Sequence, residues 1–187
     1  FWPLAAANYL SSYIAFVLEA LPEQDQTMTE VIRVFDQATT GHAREMFNDL
    51  ERRNPSSYAV QLHRRAESTC LAERMHASIL GIIAANLLPL GFRDIMAAYR
   101  HPRRVDFREL GRRRCALFVT IDDMDASLRP LTSLFVRQAL TTLVDEADHN
   151  TRDGRLAVPV RLMLDDFANL NVANFDNILS VTRSREI

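Results

Sequence analysis

The stretch "VPVRLMLDDFANL", residues 158–170, decides how this chain reads. Val158, Val160, Leu162, Met163 and Leu164 make a short apolar run interrupted only by Pro159 and Arg161, and then Asp165 and Asp166 arrive together. An apolar run of this length after a turn predicts a strand buried on both faces. Two adjacent carboxylates repel each other, so the pair costs stability unless a cation or a polar partner answers it. Nucleotide-hydrolysing cores use such a pair, one carboxylate holding Mg²⁺ through water and the other orienting the attacking water.

Working outward, "CALFVTI" (115–121) predicts a second buried strand, and "TRDGR" (151–155) a turn into the first one. Between them a helix is expected from about Pro130 to Asp148, with proline early as a helix start allows. A last helix is expected in "NFDNILSVTRSRE". Strand, helix, strand, helix implies parallel pairing in an α/β sheet.

Upstream the texture is helical. Leu10, Ile14, Val17, Leu18 and Leu21 recur at three- and four-residue steps, the spacing of one helix face. Thr27 or Thr29 can cap a second helix with Val31, Ile32, Val34 and Phe35 inward. A third is expected from Ala43 to Arg53. A long periodic stretch runs from Ser57 to about Leu88 with a break near Ala66, and a short helix from Phe92 to Arg100. The expected organisation is therefore an all-α domain over 1–111 and part of an α/β nucleotide-binding core over 112–187, with a purely helical bundle as the alternative.

The chain has 187 residues, 48% hydrophobic, with a formal charge of −2, which excludes a global pull toward nucleic acid or membrane. All 22 basic residues are arginine. Cys70 and Cys115 lack metal-ligand or disulfide spacing and read as reduced core residues. The five histidines form no ligand motif. Residues 1–18 are uncharged, but Asn8, Ser11 and Ser12 favour a buried helix over a membrane span. The opening at Phe1 and Trp2 reads as an excised piece.

Roughly residues 113–187, with "ALFVTIDDMDASLRPLTSLFVRQALTTLVDEAD" (116–148) followed by "GRLAVPVRLMLDDFANLNVANFDNILSVTRSREI" (154–187), resemble the TraG/TraD family, the coupling ATPases of type IV secretion and conjugative DNA transfer. The earlier helices resemble, more loosely, the all-α domain that this family inserts into its RecA-like motor. The resemblance implies a homo-hexamer at the cytoplasmic side of the inner membrane. It implies delivery of relaxase-bound single-stranded DNA to the secretion channel with ATP and Mg²⁺. Asp165 matches the metal-holding aspartate, and Asp166 stands where the family commonly has the water-polarising glutamate. Arg185, with Arg183 as the close alternative, matches the arginine that reaches a neighbouring subunit's nucleotide.

The phosphate-gripping half of such a site needs a glycine-rich loop and a lysine. Glycine occurs only at 41, 81, 91, 111 and 154, never in that spacing, and there is no lysine. This chain by itself is therefore expected neither to bind ATP tightly nor to hydrolyse it; it reads as part of a coupling ATPase, with a helical protein- or DNA-docking module without catalysis as the alternative. Residues 100–114, "RHPRRVDFRELGRRR", hold seven arginines and two acids. Arg103, Arg104, Arg112, Arg113 and Arg114 are candidates for single-strand phosphate contact, against a solvated linker paired to its own acids. Glu19, Glu23, Asp25, Glu30 and Asp36 form a candidate docking surface for relaxosome proteins.

Overall fold

The structure is a computed structural model that describes residues 2–69, 73–99, 101, 104–121, 126–165, 172 and 174–187. The chain divides into two compact units, Phe1–His101 and Pro102–Ile187.

In the first unit, α1 (Trp2–Ala20) lies at the centre and packs most extensively on α4 (Tyr58–Ser68). The face it buries is Tyr9, Ser12, Tyr13, Phe16 and Val17, with Ala5 and Ala6 at its start. This is rotated from the expected stripe: Leu10 and Ile14 sit at its margin, and Leu18 is exposed. The two tyrosines decide the rotation because their large rings stack into the core, Tyr13 against Phe35 and Phe47. Helix α2 (Met28–Thr39) starts at Thr27, whose hydroxyl accepts from the Glu30 N–H at 3.4 Å. It buries Val31, Val34 and Phe35. It stops because Gly41 takes φ +90° while the His42 N–H reaches back to the Gln37 carbonyl and the Gly41 N–H to that of Ala38. That paired closure needs a residue free of a Cβ penalty.

Helix α3 (Ala43–Arg53) occupies the expected span and buries Phe47 and Leu50. Ser57 caps α4, accepting from the Val60 N–H at 3.2 Å. The periodic stretch after Ser57 is two helices, α4 and α5 (Glu73–Leu87), the second burying Ile79, Ile83 and Leu87. A 3-10 turn at Leu88–Gly91 with its proline ends α5, and α6 (Arg93–Tyr99) follows.

The second unit corrects the fold expectation. Among its described residues there is no strand, so no parallel sheet and no RecA-like core is present. Its described elements are α7 (Arg108–Arg112), α8 (Arg129–Asn150), α9 (Phe175–Thr182) and two 3-10 turns, Ala126–Leu128 and Arg183–Arg185. Residues 115–121 form no regular structure and are exposed through Thr120, with Phe118 at 90% of its free surface. Residues 157–164 are likewise irregular, with Met163 at 93%. A buried parallel strand requires hydrogen-bonded neighbours and helices on both faces. Neither segment lies in such a ladder here: Val158 and Val160 make only isolated backbone bonds, to Gly111 and Glu186, so each apolar, β-branched stretch stays irregular. Cys115, expected in the core, is exposed on the same stretch; Cys70 lies outside the described residues.

What order the second unit has comes from α8. Val136 and Leu140 pack with Val172, and Leu143 and Ala147 with Leu156. Leu156 approaches α7 so closely that a Cβ on Gly111 would meet its Cδ2 at 2.7 Å. Glycine therefore lets the 156–158 backbone close on α7, where the Val158 N–H donates to the Gly111 carbonyl at 2.9 Å.

Candidate functional site

The residues singled out by sequence fall into three groups. Asp166 and Arg103 lie outside the described residues. Asp165 is exposed in a turn at the end of the irregular 157–164 segment, not at the end of a strand. Arg183 is exposed and Arg185 half-buried on the 3-10 turn that follows α9.

The backbone brings two of these stretches together. The Leu156 N–H donates to the Arg185 carbonyl at 3.1 Å, and the Val160 N–H to the Glu186 carbonyl at 2.8 Å. The segment leading to Asp165 is thus hydrogen-bonded to the arginine-bearing end. The Arg185 side chain faces α8. Its Nε donates to Asp148 Oδ1 at 2.6 Å and its Nη2 to Oδ2 at 2.9 Å. Nη1 donates to the Val181 carbonyl at 2.6 Å and to Ser184 Oγ at 3.3 Å. The hydrogen bonds with Arg185 hold the Asp148 carboxyl below its usual range, and the same bonds raise the guanidinium's pKa.

The basic stretch is also largely neutralised from within. Arg112 grips Glu146 of α8 through Nε at 2.7 Å and Nη2 at 2.9 Å. Glu146 is 4% exposed and also accepts from Asn150 at 2.9 Å. Its carboxyl is held low, first by the Arg112 hydrogen bonds and against the opposing effect of burial. Arg113 pairs with Glu109 at 2.5 Å, one turn back on α7. Arg104 and Arg114 are exposed and make no ion pair among the described residues.

Acids near helix C-termini turn out to matter most: Glu146 and Asp148 were not among the expected site residues, and Glu19 was expected on a docking surface. A carboxylate there opposes the helix dipole, so its presence signals that something answers it. Glu146 and Asp148, in the last turns of α8, are answered by Arg112 and Arg185. Glu19, near the end of α1, is answered by the start of α4. Its Oε1 accepts from the N–H groups of Tyr58 and Ala59 at 3.0 and 3.1 Å, and its Oε2 from the Ser57 hydroxyl at 2.5 Å. Glu19 is thus a structural cap within the first unit, and Glu30 pairs with Arg33 at 2.6 Å. Glu23, Asp25 and Asp36 remain exposed.

One buried titratable group also escaped the sequence reading. His63 of α4 stacks flat on Phe47, ring centroids 3.9 Å apart and 4° from parallel. Tyr9 and Tyr13 flank it. Its Nδ1 lies 3.4 Å from Ser12 Oγ, and its Nε2 3.8 Å from Glu67. Burial lowers its pKa to about 4, with Glu67 opposing that effect and His76 reinforcing it.

No group of three or more histidine, cysteine or acidic side chains is placed to hold a metal among the described residues. One stretch of them, Glu73–Gly91, is long and apolar enough to cross a membrane, and its Ile79, Ile83 and Leu87 are packed in the first unit's core.

No curated protein and no solved structure matches the chain. A family model for conjugative DNA transfer by the type IV secretory system does, across residues 1–175. That span takes in the whole first unit, the arginine-rich stretch, α8 and Asp165, and so the chain belongs to the type IV secretory system conjugative DNA transfer family.

Proposed function

We propose that the chain serves a conjugative coupling protein chiefly as a docking module, handing relaxase-bound single-stranded DNA toward the secretion channel at the inner membrane. The observation that carries this reading is the family match from residue 1 onward across a helical unit with its own closed core. Such a body can present a fixed surface, and Glu23, Asp25 and Asp36 supply its exposed acids. Among the described residues, Arg104 and Arg114 are the arginines of the basic stretch whose charge is left for phosphate contact. The full chain, immobilised, should retain purified relaxase carrying its single strand. Failure to retain either the protein or the strand would overturn the docking role.

A second reading is favoured by the hydrogen bonds that tie the Asp165 segment to the Arg185 turn. In it the parent is a hexameric ATPase, and this chain lends Asp165 and Asp166 to Mg²⁺ and water, with Arg185 or Arg183 reaching a neighbouring subunit's nucleotide. Carboxylate oxygen suits Mg²⁺, and a forked guanidinium suits a charged phosphoryl group. Bound ATP–Mg²⁺ would supply phosphoryl-transfer chemistry to the parent. These residues fit only the metal end of such a site, because the chain offers neither lysine nor a glycine-rich loop to the triphosphate. Calorimetry of the chain with ATP and Mg²⁺ should therefore show no tight binding, and tight binding would overturn this division of labour.

A further inference from the structure

The Arg185 guanidinium makes four hydrogen bonds within its own chain. Both nitrogens of its outer fork edge face Asp148, and its remaining terminal nitrogen is spent on Val181 and Ser184. A carboxylate and a phosphate present the same pair of oxygens to that fork, so they compete for one set of N–H groups. We propose that Asp148 is a lock on Arg185, holding the guanidinium in an intramolecular pair that a polyphosphate must displace before Arg185 can serve it. The proposal rests on reading Arg185 as a phosphate-facing arginine.

Three features make the pair displaceable rather than a permanent strut. Its side chains keep 22% and 35% of their surface, so a ligand in water can reach them. The backbone on either side is pinned separately, by the Leu156 and Val160 N–H groups on the carbonyls of residues 185 and 186. Release therefore needs only side-chain rotation. By contrast, the Arg112–Glu146 pair, whose acid lies on the same helix, has its carboxylate buried and a further N–H contact from Asn150, the architecture of a strut. Asp148 is thus a positioning residue, acting through Arg185.

The test uses the full chain and tripolyphosphate as the probe. Asp148→Asn should bind it about tenfold more tightly than the native chain, the worth of one freed charge-assisted contact. Adding Arg185→Gln should abolish the gain, and Asp148→Glu, which keeps the pair, should bind like the native chain. Asp153→Asn removes an equal charge from the same unit without touching the pair and should change affinity less than about twofold. A gain equal in Asp153→Asn, or one that survives Arg185→Gln, would overturn the lock. Should Asp148→Asn fail to fold, the native chain decides: saturating tripolyphosphate must shift the Arg185 Nε–H resonance and leave that of Arg112 in place, and an unmoved Arg185 signal would refute the proposal. Loss of the nucleotide role is a separate outcome. Arg185→Gln in the intact coupling protein would then leave ATP hydrolysis unchanged while the tripolyphosphate results still held.

Discussion

The two units hold themselves together by different means. The first buries a continuous cluster that runs from Ala5 to Leu87 and draws on α1 through α5. Aromatic rings fill its centre, and two of its buried polar groups, Ser12 and His63, face each other. The second has two small clusters along α8, with three buried residues in each among the described residues, and leans instead on paired charges. Apolar side chains of its extended segments face water, and a groove of about 360 Å³ opens between Leu140, residues 160–164 and α9. Hydrophobic burial is non-directional and needs only enough surface in contact, whereas ion pairs must satisfy geometry and desolvation one at a time. Burial in the first unit should therefore tolerate loss of any one polar contact, and the second should not.

The largest test of that contrast is a pair of truncations. Ile83→Ala empties a site closed on all sides and should cost about 4 kcal/mol, read as a lower denaturation midpoint of the first unit's transition. Leu140→Ala, beside an open groove that can collapse, should cost only about 2 kcal/mol. Equal costs would erase the distinction.

Acid should act next, and on the first unit. His63 titrates near 4 in the fold against an ordinary 6.5. Between those values the unfolded chain holds the proton and the folded chain does not, so stability is complete above about pH 6.5 and falls as pH drops toward 4. The loss amounts to at most about 3 kcal/mol. The first transition should lose this dependence in His63→Gln, and a slope unchanged by the substitution would place the titration elsewhere.

Smaller still is Glu19→Gln, which keeps an acceptor but removes its charge from the start of α4. A loss of about 1 kcal/mol is expected in the first unit's unfolding free energy, with the second unit's unchanged. Smallest is the effect of the exposed arginines on strand binding. Arg104→Ala with Arg114→Ala should lower the salt slope of single-strand affinity by about 1.4, while Arg113→Ala, whose charge is answered by Glu109, should leave it nearly unmoved. The opposite ranking would show that the ion pairs open for DNA.

Helix positions were largely legible because each rests on local rules. The Ala43–Arg53 span, the Thr27 cap and the Gly41 stop follow from periodicity, a hydroxyl and a positive φ. The facing of α1 was less so, since the stripe of leucines and isoleucines competed with a stripe of tyrosines and only the neighbours could choose. The strands failed for a stronger reason. "CALFVTI" and "VPVRLML" have strand-like composition, but a ladder exists only if another backbone lies beside it. Of the candidate site, residue types were readable and their partners were not: Arg112, Arg113 and Arg185 looked available for ligands until the acids of α7 and α8 were seen to hold them.

By itself, then, the sequence determined where helices start and stop, the absence of any phosphate-gripping loop or lysine, and membership of a DNA-transfer family. Tertiary structure alone decided that the apolar runs after residue 112 form no sheet, that Glu19 caps the start of α4, and which arginines are engaged. The physical reason is range. Capping, breaking and periodicity act within one or two turns of a chain, while the pairings of Glu19 with α4, Arg112 with Glu146 and Arg185 with Asp148 join segments 34 or more residues apart.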